Sequence, residues 1–449
     1  MAFLLRSKQI SAVELVEAHL EQISNSNPKL NAIVTLTAAA ALERALLADA
    51  ATLRGECWGP LHGMPVVHKD LLDTKGVLTT YGSKIYANHV PHEDSLVVER
   101  MAAAGAICLG KTNTPEFGAG SQTYNEVFGA TGNPFDPSKT CGGSSGGSAV
   151  ALATGMAPLA TGTDLGGSLR NPASFCGVVG MRCAPGRVPN WPTPNAWFPL
   201  DVHGPMARNV ADLAMLLAVI AGPDQRSPIS IAQPGSVFSG ALDAQMKGKR
   251  IAFFDNLGGV PFDAEVKQRI NEQRKVFESM GCIVAVAEPN LDGADESFRI
   301  LRASNAALNH ASRIAAHPGV IKQTLVREVQ QGQDLGAFEV ARAEKLRTEL
   351  FHRVRKFFET YDAFVLPTVQ VLPFPLEQLY VNEINGVALN SYIEWMKSCY
   401  LISATGHPAI SVPAGKSESG LPIGMQIVGR HQGERELLEI AYAYEVAAG

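Results

Sequence analysis

The sequence has little that would take the chain into a membrane, onto a nucleic acid or around a metal. A helical membrane span needs about 20 apolar residues, and the longest strongly apolar run, Leu213–Gly222, is about half of that. The opening stretch, Met1–Ile10, is interrupted by Arg6 and Lys8 and has no signal-peptide hydrophobic region. No block of five or six like charges forms a tail. With 38 basic and 43 acidic residues the net charge is −5, against the basic stripe of a general nucleic-acid binder. The 11 histidines contain no His-Glu-x-x-His cluster, so zinc activation finds no support and no metal or cofactor is expected. Seven cysteines, an odd number spread thinly, read as free thiols in a cytoplasmic protein and not as a disulfide framework.

What the chain does have is 46% hydrophobic residues against 18% charged, a globular composition too apolar for disorder. Ser11 and Glu14 predict a capping box opening a helix through about Ile23, and Thr37–Leu53 reads as a second helix. From about 55 to 205 the texture changes to Gly, Pro, Ser, Thr and Asn punctuated by short apolar strands, Met64–His68 and Ala106–Gly110 among them. Asp94–Ala104 reads as a helix capped by Asp94 and stopped by Gly105. Later, Arg250–Asp255, Asp263–Met280 and Cys282–Ala287 predict a strand–helix–strand unit, followed by a long polar helical region over about 296–360. Ala363–Pro367, Ala409–Pro413 and Met425–Val428 read as strands, and Glu434–Ala448 as a closing helix. Alternating helices and strands specify an α/β protein. No repeat and no low-complexity linker divides the chain, so one domain over 1–449 is expected, with its chemistry in about 55–205.

The chemistry concentrates in three segments. In Cys141-Gly-Gly-Ser144-Ser145-Gly-Gly-Ser148, glycines flank two serines, which suits either a flexible turn or a constrained loop with exposed hydroxyls. It lacks the lysine of a phosphate-binding loop and the preceding strand of a dinucleotide fingerprint. Gly142–Gly146 does satisfy Gly-x-Ser-x-Gly, but again without the strand that a hydrolase nucleophile elbow requires. Downstream, Asp164-Leu165-Gly166-Gly167-Ser168-Leu169-Arg170 offers a serine beside successive backbone N–H groups, a nucleophile and an oxyanion hole in one turn. Upstream, Lys69 ends an apolar strand and is either a neutral base after desolvation or half of a Lys69–Asp70 ion pair. Cys176 lies in an apolar run and reads as packed. Asp164 and Arg170 read as an internal hydrogen-bonding frame.

Together these segments resemble the amidase signature family. Lys69 sits in Gly63-x-Pro65-x-x-x-Lys69-Asp70, Ser144 in Gly-Gly-Ser-Ser-Gly-Gly, and Ser168 in Gly162-Thr-Asp164-Leu-Gly-Gly-Ser168-Leu-Arg170-x-Pro172. Further matching stretches are Phe117–Pro134, Phe175–Gly180, Asp201–Arg208, Leu366–Thr368 and His407–Gly429, so the resemblance covers nearly the whole chain. It implies a large mixed β-sheet core covered by helices on both faces. It also implies a Ser–cis-Ser–Lys triad in which Ser168 is the nucleophile, Ser144 relays the proton and Lys69 is the base. Leu165, Gly166, Gly167 and Ser168 would hold the oxyanion, and Ser145, Asp164 and Arg170 would support the site. Gln122 and Tyr124 are candidate pocket residues. Trp191, Trp197 and Phe198, in a Pro-rich loop, either join them or form a hydrophobic plug.

The implied activity is hydrolysis of a small carboxamide or an aryl or acyl amide, with no nucleic-acid or membrane partner; a homodimer is left open. The alternative is the amidotransferase subunit of the same family, which works on mischarged tRNA with a partner protein. A free lysine titrates near 10.4, so a neutral base at pH 7–8 demands a depression of about 3 units, and burial near Met64–Val67 must supply much of it.

Overall fold

The computed structural model describes all residues, 1–449. Strands from both halves of the chain join one mixed sheet of 11 strands. From one edge the order is Ile33–Leu36, Ile107–Thr112, Pro65–Lys69, Leu159–Asp164, Val202–Ala207 and Val179–Arg182. It continues with Ala409–Lys416, Pro422–Val428, Ala363–Pro367, Arg250–Phe253 and Ile283–Val286. Pro65–Lys69 is parallel to both its neighbours, and the last three strands are parallel to one another. Antiparallel pairs connect the two parallel groups.

Pro65–Lys69, Leu159–Asp164, Val202–Ala207, Ala363–Pro367 and Pro422–Val428 are buried at every residue. Successive strand residues point to opposite faces, so such strands are covered on both. A contiguous core of 101 buried apolar residues runs through these layers. No helix is long and apolar enough to cross a membrane.

The local signals are instructive where they succeed and where they fail. The Ser11–Glu14 capping box forms, with Ser11 Oγ accepting from Glu14 N–H at 3.0 Å and the Glu14 carboxylate accepting from Ser11 N–H at 2.8 Å. That helix runs on to Leu30 and stops at Asn31, whose left-handed φ of 53° an Asn tolerates better than most residues. Asp94 does not cap its helix, Leu96–Ala103; it accepts from Lys75 N–H at 2.7 Å instead, and Ser95 takes the cap position. Gly105 does end that helix, at φ +94°, where a Cβ would lie 2.7 Å from His62 Cα. The expected helix over Asp263–Met280 is two, Ala264–Glu272 and Arg274–Ser279, broken at Gln273 where no Gly or Pro announces it. The polar region resolves into Ala294–Ala316, Gln323–Gln333 and Ala337–Phe357. Breaks fall at His317-Pro318-Gly319 and near Gly336, as glycine and proline chemistry dictates.

The closing helix, Glu434–Ala448, begins at a fully buried acid. Glu434 Oε2 lies 2.9 Å from Arg187 Nη2, and Oε1 accepts from Ala184 N–H at 2.8 Å. This ties the C-terminal helix to the chain just beyond Val179–Arg182. Removing one partner strands a buried charge, so Glu434→Ala should lower stability by about 3–5 kcal/mol, read as a lower urea midpoint with an unchanged slope.

Candidate active site

Lys69 and Asp164 are the last residues of two adjacent parallel strands, registered with Val66 opposite Leu159. Loops leaving the carboxyl ends of parallel strands are where open α/β sheets build their sites. The Ser144–Ser145 segment reaches the same place at the start of helix Gly146–Ala153, with Ser145 at its N-cap position.

The Lys69 side chain is fully buried. Its Nζ lies 2.6 Å from Ser144 Oγ, 2.9 Å from Thr163 Oγ1 and 3.0 Å from Ser145 Oγ. The Lys69–Asp70 ion pair does not form. Asp70, just past the strand, instead accepts from Thr80 Oγ–H at 2.6 Å and faces Lys111 Nζ at 3.8 Å. Burial pushes the Lys69 amine down to about 7, against the opposing pull of the Asp201 and Asp164 charges. The depression that the sequence demanded of this lysine is present.

Ser145 sends its own hydroxyl hydrogen to Thr163 O at 3.3 Å, and its backbone N–H donates to Ser168 O at 3.1 Å. It therefore accepts from the lysine while tying the two serine-bearing loops together. The Gly143–Ser144 peptide bond is cis. Ser144 and Ser168 are both buried against the protein yet line one cavity of about 330 Å³.

The loop that carries Ser168 is held by a buried ionic frame. Asp164 accepts from Gly167 N–H at 2.8 Å, from Leu169 N–H at 3.1 Å and from Arg170 Nε and Nη2 at 3.0 Å each. Arg182 Nη1 approaches the same carboxylate at 3.2 Å. Burial works against this carboxylate, but Arg170 and Arg182 overcome it and hold Asp164 well below the usual range. Arg170 also donates to Cys399 O at 3.0 Å, to Ser403 Oγ at 2.6 Å and to Gln426 Oε1.

The frame removes Gly167 N–H from the set of donors expected to hold an oxyanion, because Asp164 already takes it. The N–H groups of Leu165, Gly166 and Ser168 have no such intramolecular partner. Gly167 is instead needed for its shape: φ is +130°, and a Cβ would lie 2.6 Å from Cys399 Cβ.

None of the five candidate pocket residues lines the cavity. Gln122 Nε2 donates to Gln378 O and Leu379 O, at 2.5 and 2.6 Å. Tyr124 sits on a short hairpin, Trp191 lies under the Arg226 guanidinium at 4.6 Å, Trp197 is 72% exposed, and Phe198 packs against the core. The Pro-rich loop does reach the cavity, but through Asn190 and Pro192–Pro194. The apolar walls come from Phe117, Phe298, Leu325, Tyr392, Ile393 and Met396. Cys176 is fully buried, and burial pushes its thiol far above the usual range, so it is packed and inert.

Sequence reasoning missed Thr163 and Asp201. Thr163 touches Lys69 only through the pairing of Leu159–Asp164 with Pro65–Lys69, which no local pattern encodes. Asp201 borders the cavity from the start of Val202–Ala207.

Comparisons with known proteins give the family. Residues 14–438 match the sequence model of the family described as Amidase. A glutamyl-tRNA(Gln) amidotransferase subunit of Synechococcus sp. strain CC9605 is 36% identical, covering 99% of this chain and 94% of that one. An acylamidase of Rhodococcus erythropolis is 34% identical over 99% of this chain and 94% of its own. The crystal structure of a bacterial aryl acylamidase superposes with a TM-score of 0.92 at 30% identity, covering 99% and 95% of the two chains. The chain belongs to the amidase signature family of hydrolases.

Proposed function

We propose that the protein hydrolyses the C–N bond of a small carboxamide or of an acyl or aryl amide, releasing a carboxylic acid and ammonia or an amine through an acyl-enzyme on Ser168. One observation carries the reading: a buried amine with no carboxylate partner stands 2.6 Å from Ser144 Oγ, and Ser144 shares a cavity with Ser168.

A neutral lysine has two N–H donors and one lone pair. Ser145 takes one N–H, since its own hydrogen goes to Thr163 O. The lone pair is then open to Ser144, the nearest hydroxyl. Ser168 Oγ attacks the carbonyl carbon, its proton passes to Ser144 Oγ, and the Ser144 proton passes to Lys69 Nζ. The oxyanion is received by the N–H groups of Leu165, Gly166 and Ser168. On collapse Ser144 delivers a proton to the departing nitrogen and is reprotonated from Lys69, which suits the poor leaving group of an amide. Water then enters by the same relay and frees the acid. The aromatic and aliphatic side chains in the cavity wall, Phe117, Phe298, Leu325, Tyr392, Ile393 and Met396, suit a substrate with an acyl or aryl body.

A second reading, the amidotransferase role, is favoured by the 36% identity to a component of such a complex. Turnover of acyl anilides by the purified chain, without ATP or tRNA, supports the first reading. Ammonia release that appears only with added subunits and tRNA supports the second.

Lys69→Ala and Ser168→Ala should each lower kcat/KM on an acyl anilide by about 10³-fold or more. A fluorophosphonate should attach at Ser168, as read by mass spectrometry of the labelled peptide; attachment at Ser145 would reject the assignment.

The base acts when neutral, so kcat/KM should climb about tenfold per pH unit below 7 and level off above about 8. The Asp201 charge favours protonated Lys69. Asp201→Asn should therefore move the midpoint of the pH–rate profile toward acid.

A further inference from the structure

We propose that Arg313 binds a carboxylate on the substrate, so that the preferred amides carry an anionic group remote from the scissile bond. The inference rests on the hydrolase reading of the Ser168 site and names its substrate class.

One stripe of helix Ala294–Ala316 faces the cavity: Phe298, Arg302, Asn305, Asn309 and Arg313. Spacings of three and four put them on one side of the helix, over about 22 Å of its length. The stripe has a direction. Phe298 is at the nucleophile end, where a Cβ on Gly166 would lie 2.8 Å from Phe298 Cζ. Arg302 is neutralised by Glu328 Oε2 at 2.6 Å and also donates to Tyr392 Oη.

Arg313 is different. It forms no ion pair. Nη1 donates to Asn309 O at 2.5 Å and approaches His310 Nδ1 at 3.2 Å, and Nε donates to Tyr86 Oη at 3.3 Å. Its Nη2 finds no acceptor in the protein. Burial, with the Arg313 and Lys322 charges, pushes His310 down to about 4, so the ring is neutral and accepts from the guanidinium without adding a second positive charge. Asp73 borders the same cavity, where its carboxylate accepts from the Tyr81 hydroxyl at 2.5 Å and forms no ion pair with Arg313. Next to Arg313 on the stripe, the Asn309 side-chain oxygen is buried without a partner, so it is open to an N–H or O–H donor of the substrate and not to the carboxylate itself. A cation with a free N–H, flanked by the Phe117 and Tyr86 rings, is a site for a carboxylate on an apolar body.

The separation from the reacting atoms limits the substrate. A Cβ on Gly118 would lie 3.6 Å from Ser144 Oγ, and the adjoining Phe117 ring is 5.5 Å from Arg313 Cζ. One backbone step and one phenyl side chain thus separate the guanidinium from the relay serine, on the order of 10–15 Å. Glutamine, whose α-carboxylate is four bonds from its carboxamide carbon, is too short to reach.

The test uses two probe pairs of suitable length: the monoanilide of sebacic acid against its methyl ester, and N-acetyl-4′-aminobiphenyl-4-carboxylate against its methyl ester. The wild-type protein should prefer the acid in at least one pair. Arg313→Gln should reduce the acid-to-ester ratio of kcat/KM by 10–100-fold, mainly through KM, and Arg313→Lys should restore part of it. Because the ratio is taken within each variant, partial misfolding does not alter it. A ratio that neither substitution moves, or a wild-type preference for both esters, overturns the proposal.

Calorimetry of the same probes on Ser168→Ala protein, with and without Arg313→Gln, reads the contact without turnover. If the wild-type protein hydrolyses neither pair and Ser168 takes no label, the hydrolase reading fails, and this binding comparison still decides the role of Arg313. Loss of acid-selective binding on Arg313→Gln supports it, and equal binding of acid and ester overturns it.

Discussion

A primary amine buried among three hydroxyls, with no carboxylate beside it, is the constraint on which the site depends. An amine in that setting loses its hydration and regains only neutral hydrogen bonds, so its charged form is disfavoured. The folded protein holds Lys69 near 7 and the unfolded chain near 10.4. Between those values the unfolded state binds the extra proton, so this residue's penalty on stability is full below about pH 7 and fades as pH rises to about 10. The fold carries that burden at neutral pH, and in the proposed function what it gains is a proton acceptor at the head of a serine relay.

The proposed relay needs the hydroxyls to stay where they are, and the surrounding structure holds them there. Asp164 ends the strand next to Lys69 and turns the following loop by accepting two of its backbone N–H groups, while Arg170 and Arg182 balance its charge. Arg170 extends the frame to Cys399, Ser403 and Gln426, in the distant C-terminal part of the chain. The long crossing of the sheet thus has a chemical consequence: a helix, Lys397–Thr405, and a strand, Pro422–Val428, from the last hundred residues brace a loop near residue 168. A buried ion cluster of this kind adds little net stability over an apolar packing but fixes one geometry, and the proposed attack by Ser168 needs one geometry.

Much of this was legible in the residues. The three segments around Lys69, Ser144 and Ser168 were identifiable because glycines at fixed positions and a lysine ending an apolar strand are local features. The α/β class, the Ser11 cap and the closing helix follow from periodicity and capping chemistry. The cavity was another matter. Trp191, Trp197 and Phe198 drew attention as aromatic residues in a Pro-rich loop, yet side-chain direction in an irregular loop depends on tertiary packing, and these rings turn to Arg226, solvent and core. The actual wall is a helix stripe whose spacing from Phe298 to Arg313 is visible in sequence, but nothing local says which side of a polar helix faces a site. Gly167 shows a subtler limit. Its place in the oxyanion turn reads as an N–H donor, and only the neighbouring Asp164 reveals that the donor is already occupied.

In the proposed relay the resting protein keeps Lys69 uncharged at mildly alkaline pH. Titration of its side-chain nitrogen by NMR, with ¹⁵N-labelled lysine and Lys69→Met protein to assign the signal, tests it directly. A midpoint near 7 is the predicted result. An amine that remains protonated above pH 9 would contradict the account.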